Sequence, residues 1–118
     1  MKSMEEKLWD EITNSAKKKF DYKTFKKGIP ENDADDFLFK TILLIAQNRP
    51  VLLIASELQM NLVLSGFHME LDAIIAFINE KKSILGVEIF ASQIAIDLLA
   101  DGTSPEHVYA NICQLLGK

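Results

Sequence analysis

Few residues in this chain are spaced to do chemistry, and each set also has a plain structural reading. His68 and His107 are the only histidines. His68 and Asp72 are one helical turn apart, a spacing that lets an imidazole meet a carboxylate, but no second histidine or carboxylate completes a metal face. His107 has only Asn111 at the same spacing. Asp97 and Asp101 form a carboxylate pair one turn apart; a hard cation wants more oxygen ligands than two side chains supply. Asp33, Asp35 and Asp36 cluster where a helix should begin, and acids are favoured there by the helix dipole. Cys113 is the single cysteine, which excludes a disulfide framework and a multi-cysteine zinc site; on the flank of an apolar helix it reads as a small core residue. No phosphate-binding glycine loop, HExxH motif or serine elbow occurs. The expectation is a protein that is not an enzyme, with no catalytic residues, no bound metal and no cofactor.

Residues 17–27 hold six lysines, Lys17, Lys18, Lys19, Lys23, Lys26 and Lys27, one acid, and Phe20, Tyr22 and Phe25 between them. Basic charge beside aromatic rings can hold an anionic ligand, a single-stranded nucleic acid or a membrane surface. A solvated helix end and linker is the plainer reading. Residues 104–117 offer no basic support for a recognition helix, so a helix-turn-helix over 86–117 is disfavoured.

The elements that must carry these residues are helices. Leu8, Ile12 and Ala16 mark one stripe of a helix that begins near Ser3, with Glu5 and Glu6 in its first turn. A second helix spans about 32–48, capped by Asn32 or Asp33, with Phe37, Leu38, Thr41, Ile42 and Ile45 on one face and Phe39, Leu43 and Ala46 on the other, so it should be central. Pro50 ends it or opens the next. Helices over about 50–65 and 86–101 are apolar nearly all round, which predicts burial on most of their girth. Their polar residues keep to narrow strips: Glu57, Asn61 and Ser65 in one, Gln93, Asp97 and Asp101 in the other. Gly66 and Gly102 fit the left-handed position after each. Leu71, Ile74, Ile75 and Ile78 define a helix over about 67–83, and Val108, Tyr109, Ile112 and Leu116 one over about 104–117, opened by Thr103, Ser104, Pro105 and Glu106.

Two of these helices read alike. Val51, Ala55, Ser56, Leu62 and Gly66 recur 36 residues later as Val87, Ala91, Ser92, Leu98 and Gly102. The following helices align at 34, so a hairpin repeat over 51–82 and 87–118 is one reading and chance likeness of two buried helices the other. Short loops favour antiparallel neighbours. The predicted fold is all-α: one domain over 1–118, about six antiparallel helices in a compact bundle or short stack of hairpins. A basic N-terminal helix and linker occupies 1–30 and a helical core 31–118.

Charge then narrows function. The chain has net charge −4, and residues 51–118 carry three basic and eight acidic side chains, a surface that repels nucleic acid phosphates. No apolar run approaches the ~18 residues of a transmembrane span, and no early apolar run marks a signal peptide, so a cytoplasmic setting is expected. The reading that fits best is a small acidic protein-binding module, in its most specific form an immunity or antitoxin-type inhibitor that occludes a basic toxin. Glu57, Asn61, Gln93, Asp97 and Asp101 are the expected partner-binding residues. The alternative is a nucleic-acid- or membrane-associated regulator acting through the lysines of 17–27. A homodimer through an end helix is a further expectation.

Overall fold

Ser3 opens the first helix as a reciprocal cap. Its hydroxyl accepts from the Glu6 amide at 3.1 Å and the Glu6 carboxylate reaches back to the Ser3 amide. In a computed structural model, which describes residues 2–30 and 33–117, seven helices follow one another: α1 Met4–Lys17, α2 Tyr22–Lys27, α3 Ala34–Ala46, α4 Val51–Leu64, α5 Leu71–Ile84, α6 Gly86–Ala100 and α7 Pro105–Leu115. No strand occurs among the described residues. The fold is an all-α bundle.

α3 is the shared wall of two cores. Phe37 and Ile45 face α4 and α5, packing with Ile54, Leu58, Leu62, Ile74 and Ile78. Leu38 and Ile42 face the other way, into Leu8, Ile12, Ala91, Ala95, Val108 and Ile112 of α1, α6 and α7. The central position expected for this helix follows from its two apolar faces. Asp33, one of the two expected caps, stands at the N-cap, though its side chain makes no cap bond; Asn32 lies outside the described residues. The helix closes with Asn48 at φ 61°, a left-handed conformation that asparagine tolerates better than most residues.

Gly66 and Gly102 do sit in that conformation, at φ 78° and 86°. At each, two backbone bonds close the helix, from Gly66 to Val63 and Phe67 to Leu62, and from Gly102 to Leu99 and Thr103 to Leu98. Ser104 caps α7, with Pro105 in its first turn.

Four expectations need correction. The lysine-rich stretch is not simply a helix end and linker. The chain turns at 18–21, and Asp21 caps a separate six-residue helix by accepting from the Thr24 amide; this makes seven helices rather than six. α5 starts at Leu71, not near 67, because Phe67 and Met69 pack on the core from an extended loop whose Met69 carbonyl accepts from Gln59 at 3.1 Å. α5 and α6 are not antiparallel: they share the single residue Leu85 and meet at 87°. That corner is held because Leu85 is fully buried. Finally, α4 is not buried round most of its girth. It packs chiefly on α3 and α5, and its outer face is open.

The two look-alike helices bury different faces. α4 buries Ile54, Ala55, Leu58 and Leu62, whereas α6 buries Glu88, Ala91, Ser92 and Ala95. Ser56 is exposed while Ser92, its counterpart 36 residues on, is fully enclosed.

Candidate functional site

The turn between α1 and α2 carries Lys19 and Phe20 onto the corner between α5 and α6. Lys19 donates to Glu88 at 2.9 Å, and the Ser15 hydroxyl donates to the other oxygen of that carboxylate at 2.6 Å. Glu88 is completely enclosed, in the first turn of α6, where a negative charge also suits the helix dipole. Phe20 lies under Lys81, whose ammonium is 3.8 Å from the ring centroid and 4.8 Å from that of Phe77. Lys81 is itself buried and reaches Glu80 at 3.1 Å. A cation held between two rings and a carboxylate is compensated for leaving water. These contacts clamp a right-angled corner.

Lys17 is also engaged. It donates to Asp35 at 2.8 Å and lies 4.9 Å from the Tyr22 ring, while the Tyr22 phenol donates to the same carboxylate. Partial burial pushes the Asp35 carboxyl up, but the bonds from Lys17 and Tyr22 outweigh it and hold the group below the usual carboxylate range. Burial first, and then the bond to Asp35, raise the Tyr22 phenol well above its ordinary value. Among the described residues Lys18 and Lys27 are exposed without an ion pair; Lys23 and Lys26 are exposed and add a longer-range field at Asp21 and Asp35. Phe20 and Tyr22 are half-buried and, with Lys17, Lys18 and Lys23, border an open depression of about 620 Å³, while Phe25 is turned toward the core. Phe25 stacks on Phe77 at 4.9 Å and tilts against Phe37 at 5.9 Å, and Phe20 meets Phe25 edge-on. Phe25, covered in this way, offers no platform on which a base could stack.

The expected partner-binding residues lie on the outside in separate places. Glu57 is exposed and pairs with Arg49 at 3.7 Å. Asn61 borders a depression of about 210 Å³ between α3 and α4, with Asp33, Asp36 and Lys40. Gln93 and Asp97 border another against the end of α3, at Ala46 and Gln47. Asp101 ends α6 and is exposed. Asp97 and Asp101 stand in the last turn and at the C-cap of α6, the end of a helix where negative charge is disfavoured.

The remaining chemical candidates are separate. His68 meets Glu70 at 3.1 Å rather than Asp72, and both side chains are exposed. His107 joins the Ser104 cap at 3.0 Å. Among the described residues no three histidine, cysteine or carboxylate side chains converge as metal ligands. Cys113 is half-buried beside Tyr109, whose phenol is raised by its bond with the thiol.

Sequence reasoning missed three features. Lys81 lies three residues past Ile78 and seven past Ile74, on the buried stripe of α5, and Glu88 lies at the same kind of spacing ahead of Ala91 and Ala95 on α6. Those positions were the available signal. The third is the outer face of α4, where Leu52, Leu53, Met60, Val63 and Leu64 are each at least half exposed. A helix apolar on every side is read as buried, so nothing in the sequence separated this face from the core. No protein-family model, curated protein or solved structure matches the chain.

Proposed function

We propose that this protein is an acidic helical module that binds another, basic protein, with the immunity or antitoxin-type inhibitor as its most specific form. The observation that carries this reading is the segregation of charge. Among the described residues from 51 onward, Glu57, Glu70, Asp72, Glu80, Asp97, Asp101 and Glu106 are exposed, against Lys82 as the only exposed lysine or arginine. Burial of Lys81, and pairing of the enclosed Glu88 with Lys19, leave this surface acidic. A field of one sign steers an oppositely charged partner and disfavours wrong ones. The lysine segment supports the alternative less well: two of its six lysines are held by carboxylates, and Phe25 is packed against Phe37 and Phe77.

The test uses a basic partner captured at low ionic strength from the native host. Its association rate should fall by roughly tenfold or more as salt rises past the physiological range. Asp97→Lys with Asp101→Lys should slow association while leaving helix content unchanged. An affinity that does not respond to salt overturns electrostatic docking. For the inhibitor form, the partner must be a toxin whose activity is lost in the complex.

A further inference from the structure

Diametrically opposite its core stripe of Ile54, Ala55, Leu58 and Leu62, α4 carries a second apolar stripe. Leu52, Leu53, Met60, Val63 and Leu64 are 58, 61, 59, 50 and 79 % exposed, with the exposed Ser56 among them. At about 100° per residue the two stripes are centred roughly 180° apart. No charged residue interrupts the outer one. Glu57 lies on its flank and is paired with Arg49 at 3.7 Å.

The outer stripe is symmetric about position 58. Leu52 and Leu64 stand six residues either side of it, Leu53 and Val63 five, Ser56 and Met60 two. We propose that the occupant of this face is a second copy of the chain, with α4 packed antiparallel on its own image about a two-fold axis at position 58. In that arrangement Leu52 shares a level with the partner's Leu64, Leu53 with the partner's Val63, and Met60 with the partner's Ser56. Each level pairs side chains from opposite flanks, and the one long flexible side chain meets the one small residue. A parallel pairing would set Met60 against Met60 and leave a gap between serines. The contact is isologous, as closed dimers require.

Area agrees. Five side chains exposed to this degree present on the order of 600 Å² of apolar surface, the upper end of what a monomer leaves open. That is most of the ~800 Å² per partner of a standard interface. The inference goes beyond the acidic-surface reading, and salt separates the two. Copies with net charge −4 repel, so screening should tighten this dimer, whereas it should loosen a complex with a basic partner.

The full chain, in a Cys113→Ser background, is followed by sedimentation equilibrium from micromolar to millimolar concentration. The wild-type surface should give a dimer. Leu53→Glu and Leu64→Glu, at sites exposed in the single chain, should each keep helix content and weaken association by about a hundredfold or more, because the dimer would bury an unpaired carboxylate. A mixture of Ser56→Cys and Met60→Cys chains should cross-link on oxidation several-fold better than either alone. A monomer at millimolar concentration overturns the proposal and leaves the stripe to another partner. A dimer that survives both glutamate substitutions overturns it too, as does preferential cross-linking between identical positions.

Discussion

Glu88 is the residue whose surroundings are least tolerant of change. Its carboxylate is wholly enclosed and relies on Lys19 and Ser15. Removing one member of a buried pair leaves a charge without compensation and costs about 3–5 kcal/mol in a closed interior. Lys19 is 38 % exposed, so water screens part of that loss, and Lys19→Ala should cost about 1–2 kcal/mol in urea unfolding. Lys19→Met combined with Glu88→Gln should be more stable than Lys19→Ala alone. Equal stability of the two would mean that leaving the Glu88 carboxylate without Lys19 carries no penalty. Tyr22 and Asp35 link the same region to pH. The folded-state pKa of Asp35 is depressed, so its contribution is present above the ordinary carboxylate value of 3.8 and is lost as pH falls through the lower folded value. Tyr22 is raised, so its contribution is present below the ordinary phenol value of 10.0 and declines as pH rises above it. Tyr22→Phe should therefore flatten the alkaline loss of stability, and Asp35→Asn should remove part of the acid loss; unfolding midpoints across pH measure both.

Among the elements, α6 is the one whose ends disagree. Glu88 and its partners favour its beginning, while Asp97 and Asp101 oppose its end, with no basic residue in the last turn. Each misplaced carboxylate costs about 0.3–1 kcal/mol. Asp97→Asn and Asp101→Asn should raise the unfolding midpoint of the protein alone, and, if these acids serve docking, slow its association with a basic partner. Stabilisation without any change in association would remove them from the site. Helix ends were also the most legible part of the sequence. Ser3, Ser104, Pro105, Gly66 and Gly102 mark local backbone geometry, and they stand where their chemistry placed them. The break before α2 was hidden, because Asp21 reads as a lone acid in a run of lysines until its bond to Thr24 is seen. The corner at Leu85 was hidden as well. Leucine carries no turn signal, and the bend is held by long-range contacts: enclosure of Leu85 by the second core and the Lys19–Glu88 and Lys81–Phe20 contacts beside it. Of the expected site, the acidity of 51–118 was legible from the sequence, but which of its charges reach the surface was not. Which charges are spent inside depends on long-range contacts such as Lys19 with Glu88, whose partners are 69 residues apart.

The whole molecule joins two cores through one helix, and the core between α3, α4 and α5 has a wall that is bare on its outer side. α1, α6 and α7 cover one another around Leu38 and Ile42, whereas α4 and α5 cover the face of Phe37 and Ile45 and leave α4 as an outer wall. A wall apolar on both sides has the pattern of an internal helix, which is why the sequence placed α4 inside. In the proposed dimer that reading becomes correct, because the second copy supplies the missing neighbour. Stability is then linked to concentration, since a partner that binds only the folded chain shifts unfolding by mass action. The thermal midpoint should rise by several degrees over a hundredfold increase in protein concentration, which corresponds to about 2.7 kcal/mol of linkage when the dissociation constant lies at the low end of the range. Leu53→Glu should abolish the dependence and leave the low-concentration midpoint nearly unchanged, because Leu53 is 61 % exposed in the single chain and contributes little to its core. A midpoint independent of concentration in the wild type would mean that α4 remains an open wall, and its apolar stripe would then have to be matched to a different protein.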